Sequence, residues 1–333
     1  MSKTARDKEH KAVTVRSAPV PRALPSIGLA LGGGGARGLA HILMLEVFDE
    51  LGLRPSIIAG TSIGALYGAA YAAGLPAREI RELTEKALGR RLDLVRLLIG
   101  ARAEPILKLL RILPVRRALL NPEQVLAAML PSSIPLELDA LGIPLQILAT
   151  DFYEQEQVVL TQGPLRSAVA ASIALPALFS PVIREGRVLM DGGLVNPLPF
   201  DILRGQAELI VAIDVSGAST GPGQHLQPTP FNAIISSSQI LQRSIVREKL
   251  KAQQPDVYID VDVGEYSVLD FHRYERILAS AVPAQEKLRR QLKRILTSHP
   301  AETLPMAQGQ ARPEAARPTS RLGRLRGLKR GPK

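Results

Sequence analysis

The chain contains no cysteine, which excludes disulfide bonds, a thiolate nucleophile and a cysteine-ligated zinc site. Histidine is scarce as well. The five histidines stand far apart in the 333-residue chain, at positions 10, 41, 225, 272 and 299. No two of them have the short spacing that lets neighbouring imidazoles share one metal ion. The sequence therefore predicts a protein that works without a bound metal.

The first ten residues lack the apolar run of a secretory signal peptide. Residues 55–77 carry no charge and are long enough to span a bilayer. They contain four glycines, however, and a proline lies near each end, which favours a buried strand, turn and helix. We therefore expect a cytoplasmic protein without a transmembrane helix, at most peripheral on the inner membrane surface.

The positive charge is concentrated at the two ends of the chain. The formal net charge is +11, but residues 1–24 hold six Lys or Arg against two acids, and residues 299–333 hold eight against two. Because these ends are rich in Pro, Ala, Gly and Arg, we predict disordered basic tails over residues 1–25 and 299–333. Two interpretations stay open: solvated ends that aid solubility, and segments attracted to an anionic surface, for which we favour a membrane over nucleic acid.

The most informative motif is Gly-Thr-Ser-Ile-Gly at residues 60–64, between two β-branched residues and a run of small ones. This pattern is typical of a nucleophile elbow, in which a strand ends, the chain turns sharply and a helix begins with the serine at the corner. Gly60 and Gly64 fit because a side chain at either position would clash across the turn. Free amides and the helix dipole then favour a nucleophilic Ser62. The alternative is an ordinary turn before a core helix.

A second motif, Gly-Gly-Gly-Gly-Ala-Arg-Gly at residues 32–38, directly follows the apolar strand predicted at residues 27–31. A dinucleotide site would need an acidic residue after the next strand, and a P-loop would need Gly-Lys-Ser/Thr. Neither is present. Because the elbow follows the neighbouring strand, we interpret the loop as an oxyanion hole made by amides of Gly33, Gly34 or Gly35.

In the rest of the chain, strand patterns alternate with helical ones. This alternation is typical of a three-layer α/β/α fold with a mostly parallel central sheet. Residues 76–130 are helical and rich in Leu and Arg, and residues 90–117 within them hold eight Lys or Arg and two acids. Such a basic amphipathic segment either lies in a membrane interface or forms cap helices with a solvated basic face.

Asp191 is a candidate general base, since it precedes two glycines after a short predicted strand. As a base it must lie about 2.6–3.2 Å from Ser62. The alternative is a plain turn aspartate before Gly-Gly.

A serine triad is the rival chemistry, because Ser62, Asp191 or Asp214, and His272 occur in the chain order of α/β-hydrolases. Such enzymes usually place several strands before the elbow strand, whereas one is predicted here. We interpret His41 as a helix-packing or hydrogen-bonding residue.

Three motifs in this order, at residues 32–38, 60–64 and 191–193, together resemble the patatin-like phospholipase family. The stretches at residues 149–151 and 171–181 and the Asn196-Pro197 dipeptide are also similar to that family. The resemblance covers about residues 26–215. It implies a hydrolase domain over 26–215 with a helical cap insertion at about 76–130, completed by helices and a strand over 216–298.

The resemblance also implies roles for single residues. Ser62 matches the family nucleophile, and Asp191 matches the base that takes its proton with no histidine between them. The glycines at 33–35 match the oxyanion loop, with Arg37 and Gly38 at further motif positions. Gly192 and Gly193 complete the Asp-Gly-Gly motif. No metal or organic cofactor is implied.

We therefore expect a lipid acyl hydrolase of the phospholipase A or lysophospholipase type, whose partner is a lipid ester. Peripheral contact with an anionic membrane through residues 90–117 and the tails is a further expectation. Two alternatives stay open: a non-catalytic regulatory or binding protein on the same fold, and a Ser-His-Asp esterase. The sequence leaves the head group, the acyl chain length and the oligomeric state open.

Overall fold

A mixed eight-stranded sheet lies at the centre of the computed structural model, which describes residues 25–90, 121–217 and 230–298. The strands are β1 (Ile27–Leu31), β2 (Ile57–Thr61), β3 (Leu145–Asp151), β4 (Gln157–Leu160), β5 (Val182–Arg184), β6 (Arg187–Asp191), β7 (Leu209–Asp214) and β8 (Val257–Asp260). Their order across the sheet is β5-β6-β3-β2-β1-β7-β8, with β4 paired to β3. The pairs β1–β2, β1–β7, β2–β3 and β7–β8 are parallel, whereas β4, β5 and β6 pair antiparallel.

Helices connect the strands. The α-helices of the described residues are α1 (His41–Glu50), α2 (Ile63–Ala72), α3 (Ala77–Arg90), α4 (Pro122–Met129), α5 (Leu165–Ser172), α6 (Pro230–Ala252) and α7 (Tyr274–Ser298). Short 3-10 turns occur as well, among them Gly35–Ala40 after β1 and Gly192–Leu194 after β6.

Side chains of alternate strand residues enter two separate cores, one on each face of the sheet. On one face, Leu29 and Leu31 of β1 belong to a large apolar cluster with α1, α2, α5 and α7. On the other face, Ala30 joins a smaller cluster that includes Phe200 and Val246 of α6. The predicted three-layer α/β/α fold with a mostly parallel central sheet is therefore confirmed.

One edge of β3 determines where the loops that follow β2 and β6 meet. Leu145–Leu148 pair with β2, and Ala149–Asp151 pair with β6. Residues 147–150 pair with β4 at the same time, so β4 occupies the other edge. Strands β2 and β6 therefore follow one another along a single edge of β3. They run in opposite directions, so their carboxyl ends face each other.

Two sequence expectations differ from the structure. The sequence pattern predicts a helix near Pro199–Arg204, and the structure forms only a three-residue 3-10 helix there, at Asp201–Leu203. A proline disfavours the helical conformation at the residue before it, so Pro197 and Pro199 leave few residues for a longer helix. The three-residue strand β5 was not predicted, because so short a segment carries no periodicity.

Several expectations fall outside the described residues. They concern most of the basic segment at 90–117 and nearly all of the two tails. The predicted division of the chain into these tails, the hydrolase domain and its cap stays a prediction. Within the described ranges, no helix combines the length and apolar character needed to cross a membrane.

Candidate active site

Ser62 lies at the turn between β2 and α2, with φ 55° and ψ −123°. A non-glycine residue at positive φ is strained, and such strain is concentrated at functional sites. Two glycines make the turn possible. A Cβ on Gly60 would lie 2.6 Å from Ala65 Cα, and a Cβ on Gly64 would lie 2.2 Å from the Leu31 carbonyl oxygen. The motif therefore exposes the serine at the N-terminus of α2.

The Ser62 hydroxyl donates a hydrogen bond of 2.7 Å to Asp191 Oδ2. No imidazole stands between the two side chains. The second carboxylate oxygen, Oδ1, accepts from the Gly193 N–H at 2.7 Å. The backbone of Asp191 is fixed too, because Thr150 Oγ1 donates to its carbonyl oxygen at 2.8 Å. The carboxylate is thus oriented on both sides, with one oxygen directed to the serine.

Asp191 is 3% exposed, and this burial determines its protonation. Burial raises the pKa of Asp191 from 3.8 to about 6, while the hydrogen bonds from Gly193 and Ser62 oppose the rise. The carboxylate is therefore ionised at neutral pH, yet it is a stronger base than an exposed aspartate. That combination suits a group that must accept a proton from a hydroxyl.

Ser172, at the end of α5, fixes the elbow from the other side. The Ser62 N–H donates to Ser172 Oγ at 2.8 Å, and this hydroxyl donates in turn to the Leu148 carbonyl oxygen at 2.6 Å. Sequence reasoning gave Ser172 no role of its own, although it lies in the stretch 171–181 that carries the family resemblance.

The glycine loop contributes amides in two different ways. The Gly33 N–H donates to the Pro197 carbonyl oxygen at 2.9 Å, so it is not free to meet an oxyanion. The amides of Gly34 and Gly35 meet no acceptor within the described part of the chain, and both residues line the cleft that contains Ser62. Gly35 has φ +56°, and a Cβ on it would lie 2.4 Å from the Val268 carbonyl oxygen. Only glycine fits there.

Arg37 is buried beneath the loop and does not line the cleft. Its Nε donates to the Tyr266 carbonyl oxygen at 2.6 Å, and its Nη2 donates to Gln239 Oε1 at 2.9 Å. Burial lowers the pKa of Arg37, and the nearby Arg243 lowers it further. Gly38 packs against the start of α2, since a Cβ there would lie 2.1 Å from Ile63 Cγ2. Both residues hold the loop in place.

The residues of the alternative triad do not come together. His272 is exposed and lies outside the cleft. Asp214 accepts from the Tyr258 hydroxyl at 2.8 Å and from the Ser216 N–H at 2.8 Å. His41 is fully buried, and its Nε2 is 2.8 Å from the Gly32 carbonyl oxygen. Burial lowers the pKa of His41 to about 4. Its burial and this contact agree with the interpretation of His41 as a helix-packing or hydrogen-bonding residue.

Ser62 and Asp191 open into a cleft of about 1120 Å³, counting the part in contact with solvent. Most lining side chains are apolar, among them Leu66, Leu88, Met129, Ile173, Leu178 and Phe179. Helix α6 adds polar groups, namely Ser238, Gln239 and Gln242. Sequence reasoning did not anticipate that α6 would form a wall of the cleft.

Metal chemistry has no candidate site in the described residues, where no cluster of three His, Cys, Asp or Glu side chains could hold an ion.

A family model described as patatin-like phospholipase matches residues 29–204. The chain belongs to the patatin-like phospholipase family. The match agrees with the range of about 26–215 over which the sequence resembles that family.

Individual relatives of this patatin-like phospholipase chain are longer than it is. An uncharacterised NTE family protein from Mycobacterium tuberculosis is 34% identical over 221 residues, which cover 63% of this chain and 56% of the relative. The neuropathy target esterase of Drosophila melanogaster is 29% identical over 276 residues, which cover 76% of this chain and 19% of the relative. The chain thus spans about half the length of the first and about a fifth of the second.

Among solved structures, VipD from Legionella pneumophila aligns with a TM-score of 0.44 and 15% identity, over 84% of this chain and 72% of VipD.

Proposed function

We propose that the chain is a lipid acyl hydrolase in which Ser62 is the nucleophile and Asp191 the general base. The observation that carries the proposal is the 2.7 Å hydrogen bond from Ser62 Oγ to a buried carboxylate, at a strained turn on an apolar cleft. The membership of the patatin-like phospholipase family supports the same chemistry.

The first half of the proposed reaction forms an acyl-enzyme. Asp191 takes the proton of Ser62 as Oγ attacks the ester carbonyl carbon, and a tetrahedral intermediate forms. Gly34 and Gly35 line the cleft, and their amides would donate to the oxyanion. When the intermediate collapses, the alcohol leaves with the proton held by Asp191.

The second half uses water in place of the serine. Asp191 takes a proton from water, which attacks the acyl carbon bound to Ser62. The fatty acid is released, and the proton returns to Ser62 Oγ. The Asp191 carboxylate therefore acts as a base and then as an acid in each half of the reaction. No histidine is needed between it and Ser62.

The shape of the cleft supports a lipid substrate. Its apolar side chains would bury an acyl chain, and each buried methylene contributes about 0.8 kcal/mol to binding. One relative, lysophospholipase NTE1 of Pyricularia oryzae, is 26% identical over 76% of this chain and 18% of its own length. We infer a phospholipase A or lysophospholipase type of ester cleavage from this likeness and from the cleft.

The experiment is fatty-acid release from lysophospholipid micelles and from phospholipid vesicles, with wild type and Ser62→Ala side by side. Release by wild type alone supports the proposal, and the ratio between the two substrates separates the two types. Release by neither protein from either substrate would favour a binding protein on the same fold.

Contact with an anionic membrane through residues 90–117 and the basic tails is proposed on their charge alone. We expect more protein to sediment with vesicles that contain an anionic phospholipid than with purely zwitterionic ones. The difference should shrink in high salt, because screening weakens the attraction. Equal sedimentation with both vesicles would contradict this part of the proposal.

A further inference from the structure

The Asn196–Pro197 turn contacts all three loops of the candidate active site through its backbone. The Asn196 carbonyl oxygen accepts from Thr61 Oγ1 at 2.8 Å, one residue before the nucleophile. The Pro197 carbonyl oxygen accepts from the Gly33 N–H at 2.9 Å, one residue before the free amides of the glycine loop. The Asn196 N–H donates to the Gly192 carbonyl oxygen at 2.9 Å, one residue after Asp191. A displacement of this turn would therefore disturb the nucleophile, the base and the oxyanion donors together.

The side chain of Lys249, a residue of α6, binds that turn through its ammonium group. Its Nζ donates to Asn196 Oδ1 at 2.5 Å, to the Leu198 carbonyl oxygen at 2.9 Å and to Asp201 Oδ1 at 2.5 Å. The three protons of the ammonium thus have three acceptors in residues 196–201. The same Nζ lies 5.0 Å from the centre of the Phe200 ring, where a cation is attracted to the aromatic face.

The side-chain amide nitrogen of Asn196 also has hydrogen-bond acceptors. Its Nδ2 donates to Gln157 Oε1 at 3.0 Å and to Asp201 Oδ1 at 3.1 Å. Because Lys249 has no acceptor atom, it fixes the amide of Asn196 with the oxygen towards α6. Asn196 is 2% exposed, and its bonds to Gln157 and Asp201 are partly buried. The amide has one orientation that satisfies all of its partners.

A mostly buried lysine adds little net stability to a folded protein. Lys249 is 19% exposed, and burial lowers its pKa although Asp201 opposes the shift. Ion pairs of this kind often add little net stability, because desolvation offsets the attraction, but they do specify one geometry. A second contact fixes α6 near its middle, where Arg37 donates to Gln239 at 2.9 Å. Helix α6 is thereby fixed against both the glycine loop and the turn.

We propose that Lys249 is a positioning residue for the hydrolysis, which acts through the Asn196–Pro197 turn to hold the elbow, the glycine loop and the Asp-Gly-Gly turn in register. Lys249 itself does not line the cleft and would not touch substrate. The inference rests on the proposed hydrolase function. It assigns a role to a residue of α6, outside the segment 29–204 that the family model matches.

The test compares four variants by ester hydrolysis and by the rate at which an alkyl fluorophosphonate modifies Ser62, followed by intact mass. Lys249→Met keeps the aliphatic length and removes the three donors. Lys251→Met is the matched control, since Lys251 is 70% exposed on the same helix and pairs with Glu248. Thr61→Val removes the hydroxyl that contacts the turn and keeps the volume, and it serves if Lys249→Met does not fold. The double variant Lys249→Met/Thr61→Val completes a cycle.

We expect Lys249→Met to lower kcat and the modification rate of Ser62 together, by about 10–100-fold, because small misplacements of reacting groups have effects of that size. KM should stay within about threefold, since the apolar cleft is untouched. Lys251→Met should match wild type. The double variant should be no slower than the slower single variant, because both changes release the same turn.

Two results would overturn the inference. One is a folded Lys249→Met protein of lower thermal stability whose kcat and modification rate equal those of wild type. The other is a double variant whose loss is the product of the two single losses. In both cases the wild type remains an active hydrolase. An inactive wild type that the fluorophosphonate does not modify would instead overturn the proposed function itself, and this inference with it.

Discussion

Thr61 and Asp191 lie opposite consecutive residues on one edge of β3: Thr61 pairs with Leu148, and Asp191 pairs with Ala149. The strands β2 and β6 approach this point from opposite directions and end there. Ser62, the residue after Thr61, therefore reaches the carboxylate of Asp191 although 128 positions separate them along the chain. The hydrogen bond between the two side chains follows from the register of the sheet.

The pH dependence of acylation should report Asp191. Because the pKa of this carboxyl is raised to about 6 by burial, kcat/KM should rise about tenfold per pH unit below pH 6 and level off above it. The modification rate of Ser62 by a fluorophosphonate, measured from pH 4.5 to 8.5, gives the same profile without turnover. An inflection near pH 7 or above would indicate a different base, such as an imidazole.

Replacing Asp191 by Asn should stabilise the fold at neutral pH. The folded-state pKa of about 6 exceeds the value of 3.8 in water, so the ionised carboxylate destabilises the folded protein above pH 6, and the penalty disappears below about pH 4. Asn removes the charge and can keep the bonds to Ser62 and Gly193. At about 1.4 kcal/mol per pKa unit, the gain is on the order of 2–3 kcal/mol.

Urea unfolding of wild type and Asp191→Asn at pH 7.5 and pH 4 checks this expectation. The variant should have the higher free energy of unfolding at pH 7.5, and the difference should be small at pH 4. A variant that is less stable than wild type at pH 7.5 would show that Asp191 contributes to folding rather than costing stability.

The glycine loop should tolerate no side chain at Gly35. Alanine there would lie 2.4 Å from the Val268 carbonyl oxygen at a φ of +56°, so the loop must shift. We expect kcat to fall by about 100-fold, as when one oxyanion donor is lost. Gly89→Ala is the matched control, because Gly89 is exposed in α3 and its added Cβ meets nothing within 4 Å. Equal kcat for Gly35→Ala and wild type would exclude the loop from the oxyanion hole.

Replacing Ser172 should lower the rate of hydrolysis, although its hydroxyl contacts only the backbone of Ser62 and Leu148. Ser172→Ala removes the acceptor of the Ser62 N–H and the donor to Leu148. We expect about a tenfold lower kcat, because the strained elbow loses a fixed point, with little change in KM. Ser167→Ala, on the same helix, is the comparison. If the two alanine variants have the same kcat, the elbow does not depend on Ser172.

The local motifs could be predicted from the sequence because their residue types are dictated by a few neighbouring atoms. Gly60 and Gly64 are fixed by clashes within the turn, and the strand before Ser62 is apolar because both faces of the sheet are covered. The apolar run predicted as a strand at residues 27–31 is β1 of the structure.

Long-range contacts could not be predicted in this way. The Gly33 amide is engaged by Pro197, Lys249 reaches Asn196, and α6 forms a wall of the cleft. Each depends on how distant segments pack, and a lysine in a helix looks like a surface residue in the sequence. Only the register of the sheet and the path of α6 distinguish Lys249 from Lys251 two residues later.

The most direct measurement of the central claim is hydrolysis of a short-chain p-nitrophenyl ester by wild type, Ser62→Ala, Asp191→Asn and His272→Ala. If Ser62 and Asp191 form the catalytic dyad, the first two variants lose activity by at least about 1,000-fold while folded, and His272→Ala matches wild type. Loss of activity in a folded His272→Ala protein, or activity retained by Ser62→Ala, would contradict the dyad.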